Sequence, residues 1–239
     1  MFKYNDSVKF SETNTRGELS VPALFNYFQD VSELHAEALN DAAEESRKYA
    51  WILNSWQIQI RKMPSLSEKI VIGTVPHLVK NFEAQRNFIL WDEKQTILAN
   101  ANTYWTFINK ETLRPEKITE EQIKIYAPEE PFPMNYEPRK ISIREIPEEA
   151  FKETGKVKVL YSMLDQNHHM NNARYAEVAC NFLPEAFEWN QIRIEYKKSA
   201  VLNDEITVFS TINDGALYML LKNAQGEALT VTEFKKVNL

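Results

Sequence analysis

The sequence is poor in the residues that several common kinds of functional site require. Among its 239 residues it has one cysteine and only five glycines. One cysteine excludes an intrachain disulfide framework, and the absence of G-x-G-x-x-G and Walker-type sequences argues against a nucleotide-binding loop. No apolar run approaches the roughly 20 residues of a transmembrane helix. The net charge of −6 disfavours nonspecific nucleic-acid binding by the protein as a whole.

Further absences concern location and ligands. The N-terminal segment does not combine a basic start with an apolar run, which is the pattern of a secretory signal. We therefore predict a cytoplasmic protein without stable membrane association, present as a monomer or homodimer. No cysteine, histidine or carboxylate cluster has metal-ligand spacing, so we predict no metal and no cofactor. Cys180 lies in an apolar helical stretch and indicates a small core residue rather than a nucleophile.

Hydrophobic periodicity divides the chain into two similar halves. In the first, an apolar helical face follows the candidate N-cap Ser20, and an acidic, helix-prone connection over 41–48 leads to four strands. In the second, a helix with Asn171 as its candidate N-cap is again followed by four strands. The predicted strands start near Trp56, Ile70, Phe82 and Leu98, and near Ile192, Glu205, Leu217 and Ala228. Two copies of one helix-then-strands unit are the simplest account.

Alternation within the strand near Trp56 predicts one buried and one polar side. Trp56 and Ile58 alternate with Gln57, Gln59 and Arg61, which is typical of a half-buried strand. Between the halves, residues 111–155 are rich in proline and charge, with a short helical piece over 119–125. We predict an N-terminal repeat at 1–110, a connector at 111–155 and a C-terminal repeat at 156–239.

A polar segment before the second helix concentrates the residues that carry chemistry. Asp165, Asn167 and His169 alternate, so in an extended segment their side chains project to one side and that of His168 to the other. A helix N-terminus follows, where free backbone N–H groups and the positive dipole end favour developing negative charge. Segments rich in Asn and Asp before helices are also typical of simple turns and caps.

Comparison of the two halves bears on these alternatives. When Ser20 is aligned with Asn171, the three polar positions pair as Asn14 with Asp165, Arg16 with Asn167, and Glu18 with His169. The caps and the apolar positions agree, but the acid, amide and imidazole occur together only in the second half. A purely structural motif is expected in both copies, so the difference favours a functional site in the second half.

The segment D-x-N-x-H-x-N-N-x-x-Y, over 165–175, resembles the catalytic segment of the acyl-acyl-carrier-protein thioesterases. Residues 15–20 and 194–198 also resemble that family, and the likeness extends from about Phe2 to Phe234. It implies an α+β tandem hot-dog fold, in which two helix-wrapped antiparallel sheets are joined into one. It also implies that Asp165, Asn167 and His169 are catalytic residues and that no cofactor is needed.

The same resemblance implies a reaction, with one departure from the family pattern. The implied activity is hydrolysis of fatty acyl-acyl-carrier protein to free fatty acid and carrier, which ends chain elongation in fatty acid biosynthesis. Ser199 and Ala200 stand where the family has a further acid and, in plant members, a cysteine. The alternatives are a thioesterase acting on acyl-CoA and a non-catalytic acyl-binding hot-dog protein.

Two binding surfaces are expected for such a substrate. An acyl chain needs apolar walls, and the candidates, which plain core packing would also explain, are Phe25, Phe28, Trp56 and Trp105. The acyl carrier protein, the expected partner, is acidic, so a basic patch would favour docking. Possible patches are Lys197 and Lys198 with Arg193, or Arg61 with Lys62.

Overall fold

A computed structural model describes residues 1–39 and 48–239. The helix-prone connection predicted for 41–48 lies outside the described residues except for Lys48. The chain divides into two units, Met1–Glu137 and Pro138–Leu239. Within the described residues, no helix is both long enough and apolar enough to cross a membrane.

The N-terminal unit has the predicted order of a helix followed by antiparallel strands. Its elements are β1 (Phe2–Ser7), α1 (Val21–Ala38), β2 (Tyr49–Ile60), β3 (Lys69–Lys80), β4 (Glu83–Asp92), β5 (Ile97–Asn109), β6 (Arg114–Pro115) and α2 (Glu120–Tyr126). The strands pair in the order β1-β3-β4-β5-β2, all antiparallel, and β6 pairs with β5. The short helix predicted in the connector is α2, capped by Thr119.

Helix α1 begins where the sequence predicted and buries an aromatic face. The Ser20 hydroxyl accepts a hydrogen bond from the Ala23 N–H at 3.4 Å, which satisfies one free donor of the first turn. Phe28, fully buried, packs against Trp56 and Phe88 with ring centroids 6.1 and 5.3 Å away. Phe25 meets Trp56 edge-on at 5.4 Å. Phe25, Phe28 and Trp56, three of the candidate tunnel walls, therefore form part of the core of this unit.

The prediction that β2 is half-buried is wrong. Gln57 and Gln59 are only 4% and 2% exposed. The Gln57 amide donates to the carbonyl of Asn135 at 2.7 Å, and its oxygen accepts from the Glu137 N–H at 2.9 Å. The connector therefore covers the polar side of β2 at Gln57, whose side chain exchanges water for backbone partners. The Gln59 side-chain oxygen accepts from the Asn100 side chain at 3.1 Å.

Asn87 on β4 fixes the same stretch of connector. Its side-chain oxygen accepts from the Phe132 N–H at 2.9 Å and from the Tyr136 hydroxyl at 3.0 Å. Asn87 is completely buried, so losing these partners would leave unsatisfied polar atoms inside the protein.

The C-terminal unit repeats the plan. Its elements are β7 (Lys152–Lys158), α3 (Asn172–Asn181), β8 (Gln191–Tyr196), β9 (Glu205–Asn213), β10 (Ala216–Lys222) and β11 (Ala228–Lys235). The strands pair antiparallel in the order β8-β11-β10-β9-β7. Strand β7 begins within the stretch predicted as connector. The rings of Tyr175 on α3 and Tyr196 on β8 meet edge-on at 5.7 Å.

The polar side of β8 is also covered. Arg193 pairs with Glu233 at 3.1 Å and donates to the carbonyl of Pro138 at 2.6 Å. Glu195 accepts from the Ile141 N–H at 3.0 Å. Arg193 is 6% exposed, so it is not available as a surface docking residue, and that part of the predicted basic patch is wrong.

Candidate active site

The polar segment before α3 folds as a tight turn. The Asp165 N–H donates to the His169 carbonyl at 2.8 Å, and the His168 N–H donates to the Asp165 carbonyl at 3.0 Å. His168 has φ of 60°, in the left-handed region. The extended geometry expected from the alternation is therefore wrong, because the chain reverses between residues 165 and 169.

The carboxylate of Asp165 faces the backbone of this turn. Its Oδ1 accepts from the Asn167 N–H at 2.7 Å and from the His169 N–H at 3.3 Å. The side chains of Asn167 and His169 are exposed. Neither of them has a hydrogen-bond partner in the parts of the chain that the structure describes. The structure thus places the three residues on one turn but does not join their side chains into a hydrogen-bonded triad.

Hydrogen bonds of the backbone, to backbone and side-chain acceptors, hold the turn and its surroundings. The Met170 N–H donates to the Ala200 carbonyl at 2.9 Å, and the Ala200 N–H donates to the Tyr175 hydroxyl at 2.8 Å. Asn171 caps α3, its side-chain oxygen accepting from the Ala173 N–H at 2.9 Å. The exposed side chains of the turn therefore stand beside the helix N-terminus on an anchored backbone.

The first copy contains the same turn. The Asn14 N–H donates to the Glu18 carbonyl at 2.8 Å, and the Gly17 N–H donates to the Asn14 carbonyl at 3.0 Å, with φ of 72° at Gly17. The side-chain oxygen of Asn14 accepts from the N–H groups of Arg16 and Glu18 at 2.8 and 3.2 Å. The structure therefore confirms the alignment of the two copies, because each of these hydrogen bonds has its equivalent in the turn of the second copy.

What differs between the copies is the pair of side chains that the turn presents. In the first copy, Arg16 and Glu18 form an ion pair at 2.9 Å. In the second, Asn167 and His169 occupy those places and have the donor and acceptor groups that an acyl-transfer site requires. The two copies also differ at the acceptor and at the left-handed position of the turn, but only the second copy presents an amide together with an imidazole.

The remaining candidates of the C-terminal unit have other roles. Ser199 is exposed and Ala200 is buried. Burial raises the pKa of the Cys180 thiol to about 12, with the Glu177 charge adding to the shift, so this thiol is not a ready nucleophile. In the described part of the chain, no three histidine, cysteine or carboxylate side chains are grouped so that they could hold a metal ion.

A cavity of about 200 Å³ lies in the N-terminal unit. Its walls include Trp51, Pro76, Val79, Arg86, Trp105 and Tyr126. The Trp51 indole donates to the Tyr126 hydroxyl at 3.0 Å, which closes one wall. Trp105 is therefore the one candidate tunnel residue that borders this cavity. Sequence reasoning missed Trp51 and Tyr126, although the clustering of aromatic residues in this half was a signal.

Arg86 brings a charge to this cavity wall. Its guanidinium donates to Nδ1 of His35 at 3.0 Å and to the Thr74 hydroxyl at 3.1 Å. Burial, and secondly the charge of Arg86, lower the pKa of His35 to about 4. The imidazole is therefore neutral near pH 7 and can accept this hydrogen bond. His35 is thus a packed, hydrogen-bonded histidine on α1, with its ring stacked on that of Phe2.

Comparisons with known proteins identify the relatives of this chain. The family model described as the acyl-ACP thioesterase N-terminal domain matches residues 1–126, and the one described as the C-terminal domain matches residues 146–236. The chain is 25% identical over 262 residues to the acyl-[acyl-carrier-protein] hydrolase FATB3 of Cuphea viscosissima. It is 23% identical over 232 residues to a palmitoyl-acyl carrier protein thioesterase of Gossypium hirsutum. These matches cover 99% and 90% of the chain but only 63% and 55% of the relatives, both chloroplastic.

Solved structures establish the fold. An acyl-ACP thioesterase of Bacteroides thetaiotaomicron superposes with a TM-score of 0.87 over 98% of this chain and 96% of its own, at 21% identity. The 12:0-ACP thioesterase of Umbellularia californica gives 0.82 over the same shares, at 15% identity. The predicted α+β tandem hot-dog class is confirmed, with one helix-and-sheet unit in each half. The family models, which together match most of the chain, show that it belongs to the acyl-ACP thioesterase family.

Proposed function

We propose that this protein hydrolyses the thioester of a fatty acyl group on acyl carrier protein, releasing free fatty acid and carrier and so ending chain elongation in fatty acid biosynthesis. The observation that supports this proposal is the exposed pair Asn167 and His169, presented by an anchored turn at the N-terminus of α3. The relatives are named as an acyl-[acyl-carrier-protein] hydrolase and a palmitoyl-acyl carrier protein thioesterase, which supports a carrier-linked substrate. Cytoplasmic location and a monomeric or homodimeric state stay predictions.

The chemistry assigns distinct tasks to the exposed groups. Water adds to the thioester carbonyl carbon, the carbon–sulfur bond breaks, and the water proton passes to the departing thiolate. We assign the transfer of that proton to His169, because one imidazole ring has both a donor and an acceptor nitrogen. We assign to the Asn167 amide N–H the hydrogen bond to the carbonyl oxygen as negative charge develops. Asp165 supports both residues through its hydrogen bonds to the backbone of the turn.

Backbone donors at the start of α3 offer a second source of stabilisation for the oxyanion. The Asn171 N–H already donates to the Met163 carbonyl at 2.9 Å, and the Ala173 N–H donates to the Asn171 side chain. The Asn172 N–H is therefore the donor that we propose for the oxyanion, at the positive end of the helix dipole.

The other two function classes make different demands. A thioesterase acting on acyl-CoA would use the same turn with a different leaving group. A non-catalytic acyl-binding protein would have no use for an exposed amide and imidazole on an anchored turn, so the Asn167 and His169 pair argues against that class.

A hydrolysis assay across both classes of acyl donor tests the proposal. With chains of matched length, we expect kcat/KM to be at least about tenfold higher for the carrier-linked than for the CoA-linked thioester. Added salt should lower the carrier-linked rate and leave the CoA-linked rate less affected, because docking of an acidic carrier is screened. Equal or higher CoA-linked rates would favour the acyl-CoA thioesterase, and no hydrolysis of either would favour an acyl-binding protein.

The carrier-docking surface belongs to the same proposal. Lys197 pairs with Glu195 at 3.0 Å, and Lys198 pairs with Glu227. Both lysines keep exposed surface, so they remain the docking residues that we propose on the C-terminal unit. Arg61 and Lys62 are exposed as well and remain the alternative patch.

We also propose that the cavity of the N-terminal unit takes the far end of the acyl chain. A cavity of about 150 Å³ is large enough for benzene, so about 200 Å³ suits the last few carbons and not a whole fatty acyl group. The apolar part of its wall, which includes Trp51, Val79 and Trp105, gives those carbons apolar contacts.

Filling this cavity should shorten the preferred chain. Ala36 borders it from α1, and Ala36→Phe is expected to lower kcat/KM for the longest accepted chains by about tenfold, because a few methylenes lose their place. Short chains should be hydrolysed as before, and Ala36→Ser serves as the matched control without added bulk. An equal loss on all lengths, or none, would contradict an acyl role for this cavity.

A further inference from the structure

We propose that Asp165 is a positioning residue, whose carboxylate shapes the turn that presents Asn167 and His169 and takes no part in proton transfer. This inference rests on the proposed function, since it assigns roles within the same site. It separates the motif into positions that hold the backbone, 165 and 168, and positions whose side chains meet the substrate, 167 and 169.

The Asp165 carboxylate contacts the backbone of the turn. Oδ1 of Asp165 accepts two backbone N–H groups, and these belong to Asn167 and His169 themselves. A charged acceptor makes stronger hydrogen bonds than a neutral one, so this oxygen is a firm anchor. Any movement of it displaces the two exposed side chains directly.

The equivalent turn in the first copy serves as an internal control. Asn14 has a neutral amide at the equivalent place and makes the same two hydrogen bonds, at 2.8 and 3.2 Å. The turn therefore forms with a neutral acceptor, in a copy that lacks the amide and imidazole pair. What this position supplies in both copies is an acceptor aimed at two N–H groups, and a negative charge is not needed for that.

The left-handed position of the turn is occupied by different residues in the two copies. Gly17 occupies it in the first copy and His168 in the second, with φ of 72° and 60°. A residue with a β-carbon is strained in this conformation, which glycine adopts freely. The hydrogen bonds of Asp165 help to hold His168 in that conformation, so the stronger acceptor stands in the copy that lacks the glycine.

The test exchanges single residues between the copies. Asp165→Ala removes the acceptor, and we expect kcat to fall about a hundredfold because Asn167 and His169 lose their placement. Asp165→Asn installs the first copy's residue and should restore kcat to within about tenfold of wild type. Asn167→Arg and His169→Glu also install first-copy residues, but both should lose at least about a hundredfold, because they change the groups that meet the substrate.

Two readouts distinguish positioning from acid–base chemistry. The pH profile of kcat/KM for Asp165→Asn should keep the wild-type shape, because no titrating participant has been removed. Hydrogen exchange at the Asn167 and His169 amides should be slow in wild type and in Asp165→Asn, and faster in Asp165→Ala. Hydrogen exchange needs no substrate, so it tests the role of Asp165 in the turn even if no acyl donor is hydrolysed. A lack of hydrolysis would count against the proposed function alone.

Two results would overturn the inference. One is an Asp165→Asn protein as inactive as Asp165→Ala while its Asn167 and His169 amides stay protected, since the carboxylate charge would then be essential. The other is unchanged protection of these amides in Asp165→Ala, since the carboxylate would then not hold the turn.

Discussion

Replacing His169 by alanine is expected to lower kcat for hydrolysis of the carrier-linked thioester at least about a hundredfold, or about 2.7 kcal/mol of transition-state stabilisation. The side chain is exposed and makes no hydrogen bond to the described residues, so its truncation removes no packing. The free energy of unfolding should change by less than about 0.5 kcal/mol. Steady-state kinetics and urea unfolding of the same preparation measure the two quantities.

The neighbouring histidine supplies the matched control. His168 is also exposed and lies on the same turn, one residue away. His168→Ala should keep kcat within about threefold of wild type, because its role is confined to the backbone of the turn. Wild-type turnover by His169→Ala, or equal losses in the two variants, would remove His169 from the chemistry.

The helices and most strands could be predicted because their signals are local. Ser20 and Asn171 are caps in the structure as the sequence indicated, and α1 has the apolar spacing of a helix packed on one side. Strand β11 begins at Ala228, where the sequence predicted it. These features depend on residues within a few positions of one another, so a single sequence contains them.

The burial of polar side chains could not be predicted in the same way. Gln57 and Arg193 lie on strand sides that alternation assigns to water. The connector covers both side chains. Gln57 has its partner at Asn135, much later in the chain, and Arg193 has its partner at Pro138, tens of residues earlier. Periodicity cannot show where a proline-rich connector will lie, because that depends on contacts distant in sequence.

The sequence brings the three candidate site residues into one segment but does not predict the geometry of that segment. The repeat alignment located Asp165, Asn167 and His169, but alternation suggested an extended chain where the structure has a turn. The signal that would have corrected this was Gly17, which aligns with His168 and marks a left-handed position. Because His168 adopts that conformation without being glycine, the second copy alone conceals the turn.

Replacing Phe28 by alanine is expected to destabilise the N-terminal unit by about 3–5 kcal/mol. The ring is fully buried and packs against Trp56 and Phe88, so truncation leaves a cavity among large rigid rings. Urea unfolding followed by tryptophan fluorescence measures the loss. Phe10→Ala is the matched control, because Phe10 is 82% exposed and its truncation should change the free energy of unfolding by less than about 0.5 kcal/mol.

The same measurement decides between the two roles considered for the Phe28 ring. A core residue loses stability on truncation, and the chain-length preference of the folded enzyme should stay as in wild type. A wall of an acyl tunnel borders empty space, so its truncation would cost less than about 1 kcal/mol and would shift the preference toward longer chains. Because the ring packs between Trp56 on β2 and Phe88 on β4, we expect a loss of stability with an unchanged chain-length preference. A small loss of stability with a shift toward longer chains would instead identify Phe28 as a wall of the acyl tunnel.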